Sequence, residues 1–174
     1  VLLTATPFAQ AQQPKKLARV GYLFVGLRPP KEFLQAMSRL GYVEGKNIAV
    51  EFRAADGREE RLPALAAELV KLNVDVIVAP GTLAALAAKE ATKSIPVIYT
   101  GGGDPVDAGL VASVARPGGN VTAIAELSSE LTAKRLELIK ETLPKISAVT
   151  VLVRGNAPLT MDRIKEIEAA AKAY

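Results

Sequence analysis

Val74-Asp75-Val76-Ile77-Val78-Ala79-Pro80-Gly81-Thr82-Leu83-Ala84-Ala85-Leu86 decides how the chain is read. Val74 to Ala79 is a short, mostly apolar run rich in β-branched residues, which suits a parallel strand covered on both faces. Pro80 and Gly81 stop it. Thr82 is placed to cap the small-residue helix that follows, because its hydroxyl can accept from an orphan N–H of the first turn. Such a corner leaves N–H groups facing open space, where a carboxylate, a phosphate or another polar group is favoured. Most strand-turn-helix corners in α/β domains bind nothing, so the corner alone leaves both readings open.

Outward from this stretch, apolar runs and amphipathic segments alternate. Residues 17–25 read as the first strand and 26–30 as a turn whose prolines suit a helix start. Residues 31–40 read as a short helix with Phe33, Leu34, Met37 and Leu40 on one face, ended by Gly41. Residues 47–53 alternate as a second strand through Ile48, Val50 and Phe52. After the Asp56-Gly57 turn comes the clearest helix, 60–72, where Leu62, Leu65, Ala66, Leu69 and Val70 keep the 3.6-residue period. Residues 95–100 read as the fourth strand.

That strand runs into Gly101-Gly102-Gly103-Asp104-Pro105-Val106-Asp107. Three glycines let backbone or ligand approach closely. Asp104 is a good N-cap, Pro105 a good first helical residue, and Asp107 a favoured first-turn charge. Capping explains Asp104 without any ligand. A short helix to about residue 115, a turn at Pro117-Gly118-Gly119-Asn120 and a fifth strand over 121–125 follow. Composition then shifts. A charged helix is expected from Ser128 and Ser129 to about Leu143, a strand over 149–153, a loop over 154–158, and a helix over 160–174 with Ile164, Ile167 and Ala171 on one side.

This order predicts an α/β fold: a doubly wound parallel five-stranded sheet followed by the beginning of a second α/β lobe. Ligands of such sheets sit at the carboxyl ends of the strands, here the loops at 26–30, 54–57, 81–82 and 101–104. The expected division is 1–16 as leader and tether, 17–125 as the first lobe and 126–174 as a partial second lobe. The leader reads as the tail of a secretory signal peptide, apolar and ending in the small-x-small site Ala9-Gln10-Ala11, with the mature chain starting near Gln12.

Composition narrows the chemistry. The chain has 174 residues, about one domain or one and part of a second, and 49% of them are hydrophobic, so a core is easily built. There is no Cys and no His. That removes thiol and imidazole catalysis, disulfides, thiolate metal sites and a Ser-His-Asp triad, and no metal or cofactor is expected. Aromatics are 5%, Trp is absent and the net charge of +4 is scattered. Nucleic-acid binding is therefore not expected. No run approaches the roughly 20 apolar residues that span a bilayer.

Several blocks resemble a known family. They are Leu40-Gly41-Tyr42-Val43-Glu44-Gly45-Lys46-Asn47-Ile48, Arg61 to Val70, Asp75 to Thr82, Gly103-Asp104-Pro105-Val106, Ala115 to Thr122, and Lys134-Arg135-Leu136-Glu137-Leu138. In this order and spacing they resemble the ABC-transporter substrate-binding proteins of the tryptophan/tyrosine-binding type, with the class I periplasmic-binding-protein fold, over about residues 17 to 174. The resemblance implies capture of a small organic solute, an amino acid among the candidates, between two lobes in the periplasm. It implies delivery to an ABC permease in the membrane, and no enzymatic activity. Site residues implied by position are Gly26, Gly81, Thr82, Thr100, Gly101, Gly102, Asp104 and, in the second lobe, Asn156, with the Gly81-Thr82 amides holding a ligand carboxylate. Two departures stand out. The first loop, with Arg28, and the first helix are shorter than the family's. A complete member is also about twice this size, so the chain reads as truncated, and uncovered faces of the partial lobe favour self-association.

Two other readings remain. A Rossmann-type enzyme would need a G-x-G-x-x-G after the first strand, a P-loop Lys or an acid/base pair, and none is present. The ligand-sensing effector domain of a regulator with the same fold would need a DNA-binding helix-turn-helix before residue 17, where an apolar leader stands.

Overall fold

The computed structural model describes residues 17–27, 30–101, 103–124, 131–152 and 160–172. Five parallel strands make one sheet: β1 (Ala18–Phe24), β2 (Ile48–Ala54), β3 (Val76–Pro80), β4 (Val97–Thr100) and β5 (Val121–Ile124). Their order is β2-β1-β3-β4-β5. The helices are α1 (Lys31–Arg39), α2 (Leu62–Lys71), α3 (Thr82–Ala91), α4 (Thr132–Thr142) and α5 (Thr160–Ala171). The chain steps from β1 outward to β2, then crosses back to β3 and continues the other way. The winding therefore reverses between β1 and β3, the topological switch point of such a sheet.

One face of the sheet packs on α2 and α3, which also pack on each other. Leu23, Ile77, Ala79, Val97, Tyr99 and Val121 meet Leu62, Leu65, Ala66 and Leu69 of α2 and Ala84, Ala85, Ala87 and Ala88 of α3, all buried. The alanines let α3 lie close to the strands. Gly21 does the same for α2: a Cβ there would stand 3.1 Å from the Leu69 methyl groups. On the opposite face Val20, Tyr22 and Phe24 are buried. The Tyr22 ring centroid lies 4.7 Å from that of Phe33 of α1 and 5.6 Å from that of Phe52 of β2, so α1 rests on this face through half-buried Phe33. Toward β5 the same face opens, through half-buried Val78 and Ile98 to exposed Ile124.

Turn chemistry sets the connections. Gly41 follows α1 and the Tyr42 N–H reaches back to the Met37 carbonyl at 2.9 Å, ending the helix as expected. Asn47 then braces the loop, accepting from the Val43 N–H and donating to the Gly41 carbonyl, both at 2.7 Å. Asn120 donates to the Thr92 and Ile95 carbonyls at 3.1 and 2.8 Å, pinning the start of β5 to the α3–β4 connection.

The structure corrects three expectations. Thr82 does not cap α3: Gly81 is the N-cap residue, no side chain caps, and Thr82 is already helical. The segment after Asp104 is a run of turns, not a short helix. Gly109 takes φ +67, a left-handed conformation that interrupts helical propagation after one turn. Residues 149–152 form no strand, because no described segment pairs with them. Val153, the 154–158 loop, Ala125, Ser128, Ser129, Tyr174 and the leader with its Ala9-Gln10-Ala11 site lie outside the described residues.

Candidate functional site

The carboxyl edge of the sheet is built as two tied pairs of loops. The first pair follows β1 and β2. The Ala55 N–H donates to the Phe24 carbonyl at 2.9 Å and the Gly57 N–H to the Val25 carbonyl at 2.7 Å. Arg61 closes that corner on Asp56 at 2.6 Å. The second pair follows β3 and β4, where Pro80 stands beside Thr100 in register and the Gly81 N–H donates to the Thr100 carbonyl at 3.1 Å. Gly81 has φ +86 and nothing within 4 Å of where a Cβ would be. Glycine is there for backbone shape, which turns the chain into α3 and leaves open space above the helix start.

Tyr99 joins the two loops of the second pair. It is fully buried on the α3 side of β4, and its hydroxyl donates to the Gly103 carbonyl at 3.0 Å. The same hydroxyl lies 3.5 Å from Thr82 Oγ1. A carbonyl has no proton to give, so the Tyr99 proton goes to Gly103, and the Tyr99 oxygen faces Thr82 across the longer gap. Asp104 is committed to its own backbone: its Oδ1 accepts from the Val106 N–H at 2.6 Å and the Asp107 N–H at 3.2 Å. Capping of the turn therefore accounts for Asp104.

Of the residues expected at the site, Gly81, Thr82, Thr100, Gly101 and Asp104 are brought to one edge. Gly26 lies exposed past the end of the neighbouring strand β1. Gly102 and Asn156 lie outside the described residues. Tyr99 was missed. Its signal was present in the inward alternation of Val97 and Tyr99, since a tyrosine buried near a strand end needs a partner for its hydroxyl. Among the described residues, cavities also lie away from this edge. One of about 220 Å³ is lined by Leu136, Ile139, Ile146, Val149 and Ile167. Another of about 340 Å³ sits at the amino end of the sheet beside Lys89 and Asn120. Among the described residues no group of three His, Cys, Asp or Glu is placed to hold a metal, and no helix is long and apolar enough to cross a membrane.

A parallel sheet with a switch point between β1 and β3 and loops gathered at its carboxyl edge places the chain in the doubly wound α/β class, whose ligands, where they bind, sit at that edge. Residues 30–174 match the model of the ABC transporter substrate binding protein family, and the chain belongs to that family. It is 39% identical over 122 residues to a tyrosine-binding protein of Clostridioides difficile, covering 70% of this chain and 35% of that protein. Among solved structures, a conserved domain protein of Vibrio cholerae superposes with a TM-score of 0.81 at 31% identity, covering 91% of this chain and 54% of that one. The ABC domain of Streptococcus pneumoniae in complex with L-Trp gives 0.76 at 25% identity over 90% of this chain and 54% of that one. The chain thus spans about half the length of these solved structures and about a third of the curated relative.

Proposed function

We infer that this chain is the solute-capturing part of an extracytoplasmic binding protein serving an ABC importer, and that its solute is an aromatic amino acid. The observation that carries the reading is the likeness, over 90% of this chain, to an ABC domain in complex with L-Trp. The tyrosine-binding relative points to the same ligand class. The carboxyl edge is chemically suited to it. Backbone N–H groups at the start of α3 favour the amino acid's carboxylate, and the glycine loop at 101–104 leaves room for its approach. Gly26, Gly81, Thr82, Thr100, Gly101, Gly102 and Asp104 form this wall of the cleft in our reading, and Asn156 belongs to the facing wall. The lobes are residues 17–125 and 126–174. Ligand pockets of this size class enclose 70–90% of the ligand, so one wall alone holds a solute weakly.

The protein works in the periplasm as a binding protein, without catalysis, and hands its solute to a membrane permease. Exposed Leu138, Leu143, Val149 and Val151 favour self-association of the 126–174 segment when nothing else covers them. Calorimetric titration and thermal shift with L-tryptophan, L-tyrosine, a nucleotide and a sugar phosphate test the reading. Binding by either amino acid raises the melting point by mass action. A response to the nucleotide or sugar phosphate, with none to the amino acids, sinks it.

A further inference from the structure

We propose that the Tyr99 hydroxyl is the positioning group of the site, tying Gly103 and Asp104 to the start of α3 as one rigid wall. This rests on the carboxyl-edge reading above and assigns a residue that lies behind the wall, not in it. Three observations converge. The Tyr99 side chain is fully buried, so its ring has no freedom to follow a moving loop. Its proton is given to the Gly103 carbonyl at 3.0 Å, which fixes a loop that carries glycines at 101, 102 and 103. Its oxygen also faces Thr82 Oγ1 at 3.5 Å, on the first residue of α3.

The physical need is specific. A run of glycines has more backbone freedom to lose than any other sequence, and ordering it is costly. Asp104 holds only the downstream side, through the Val106 and Asp107 amides. Upstream, the Gly81–Thr100 bond holds the base of the loop. Tyr99 supplies the tie between these two anchors. The Tyr99 hydroxyl stands between the two sides, donating to the Gly103 carbonyl and facing the Thr82 hydroxyl. Removing one oxygen therefore releases both sides of the wall, and a site that must meet a small solute with fixed geometry loses affinity when its wall is loose.

The test is Tyr99→Phe, which keeps the buried ring and deletes the hydroxyl alone. Amide hydrogen exchange on the free protein is the primary reading. The expected result is exchange about tenfold faster at Val106 and Asp107, whose N–H groups are held by Asp104, and at Ala85, whose N–H donates to the Gly81 carbonyl, with β1 and β2 unchanged, the size of one lost hydrogen bond in local opening. Unchanged exchange at those amides overturns the proposal. Titration with L-tryptophan and L-tyrosine is the second reading: affinity about tenfold weaker in Tyr99→Phe supports the positioning role. Faster exchange with unaltered affinity overturns that role and leaves a purely structural tie. A wild-type protein that binds neither amino acid overturns the ligand reading instead, while the exchange comparison still decides whether Tyr99 locks the wall. Should Tyr99→Phe fail to fold, Thr82→Val opens the α3 side of the same tie. Faster exchange at Ala85, the first bonded amide of α3, then supports the lock, and no change there overturns it.

Discussion

The sheet region and the 131–172 region carry the same kinds of apolar residue and bury them very differently. Ile77, Val97 and Tyr99 are 0% exposed between the sheet and its helices, whereas Leu152 is 96% exposed. In the first region each strand has neighbours and each helix a sheet to lie on. In the second, α4 and α5 pack on each other, and the apolar segment beside them, residues 149–152, has no strand to join. A β-branched run predicts a strand only as strongly as it predicts a partner, because the strand's hydrogen bonds lie between chains of residues far apart in sequence. Burial belongs to the layer arrangement, not to the residue.

The contrast is broken most directly by truncating one apolar side chain on each side of it. Leu69→Ala should cost about 2–5 kcal/mol, because Leu69 is fully buried where α2 meets β1 and the cavity cannot collapse against a sheet. Leu152→Ser should stay within about 0.5 kcal/mol. Urea unfolding followed by circular dichroism measures both. A similar loss in the two variants would mean that residues 149–152 have a core of their own.

Gly21→Ala sharpens the same comparison from the opposite direction, by adding an atom. The new methyl would lie 3.1 Å from both Leu69 methyl groups and 3.3 Å from Val74, with β1 tied on both edges. Overpacking of this kind costs about 1–3 kcal/mol. The double variant Gly21→Ala, Leu69→Ala should recover part of that cost, since the second change removes the groups in the way. Strict additivity in the same unfolding assay would place the strain elsewhere.

How much was legible follows the same line. The strands and helices of the sheet region stood in the sequence because local pattern and tertiary environment agree there: Ile48, Val50 and Phe52 alternate and pair with β1, and Leu62, Leu65 and Leu69 repeat on one face and meet it. The errors fall where a local rule met a competing one. Thr82 looked like a cap, but the positive φ of Gly81 already turns the chain, and the threonine moves one place into the helix. Asp104 and Pro105 looked like a helix start and do begin one turn, which Gly109 ends. The loops of the site were legible from topology, as the carboxyl ends of parallel strands. The burial of Tyr99 was legible in the alternation with Val97, but its partner was not, because the hydroxyl pairs with a carbonyl beyond the strand end, a distance that no periodicity encodes.

A smaller effect is expected at Asp104, which orders a loop instead of a core. Asp104→Ala leaves the Val106 and Asp107 amides without their acceptor and should cost about 0.5–2 kcal/mol. Asp104→Asn keeps an acceptor oxygen and should recover most of it. The thermal midpoints of the two variants decide: equal losses would show that charge, and not the two hydrogen bonds, is what the position supplies.

The smallest effect concerns pH and separates the two faces of the sheet. Burial among Phe24, Phe33 and Phe52 pushes the Tyr22 phenol pKa above its ordinary value. The folded state thus holds the proton more tightly than the unfolded chain. Stability from this group is fully present below the ordinary tyrosine pKa of about 10 and is lost as pH rises from there through the raised folded value. Tyr22→Phe has no proton to lose, so its stability should fall less steeply above pH of about 10 than the wild type's, with little difference at neutral pH. Parallel urea curves across that range read the slope. If the two slopes coincide, water reaches the phenol in the folded protein, and α1 covers its face of the sheet less completely than α2 and α3 cover theirs.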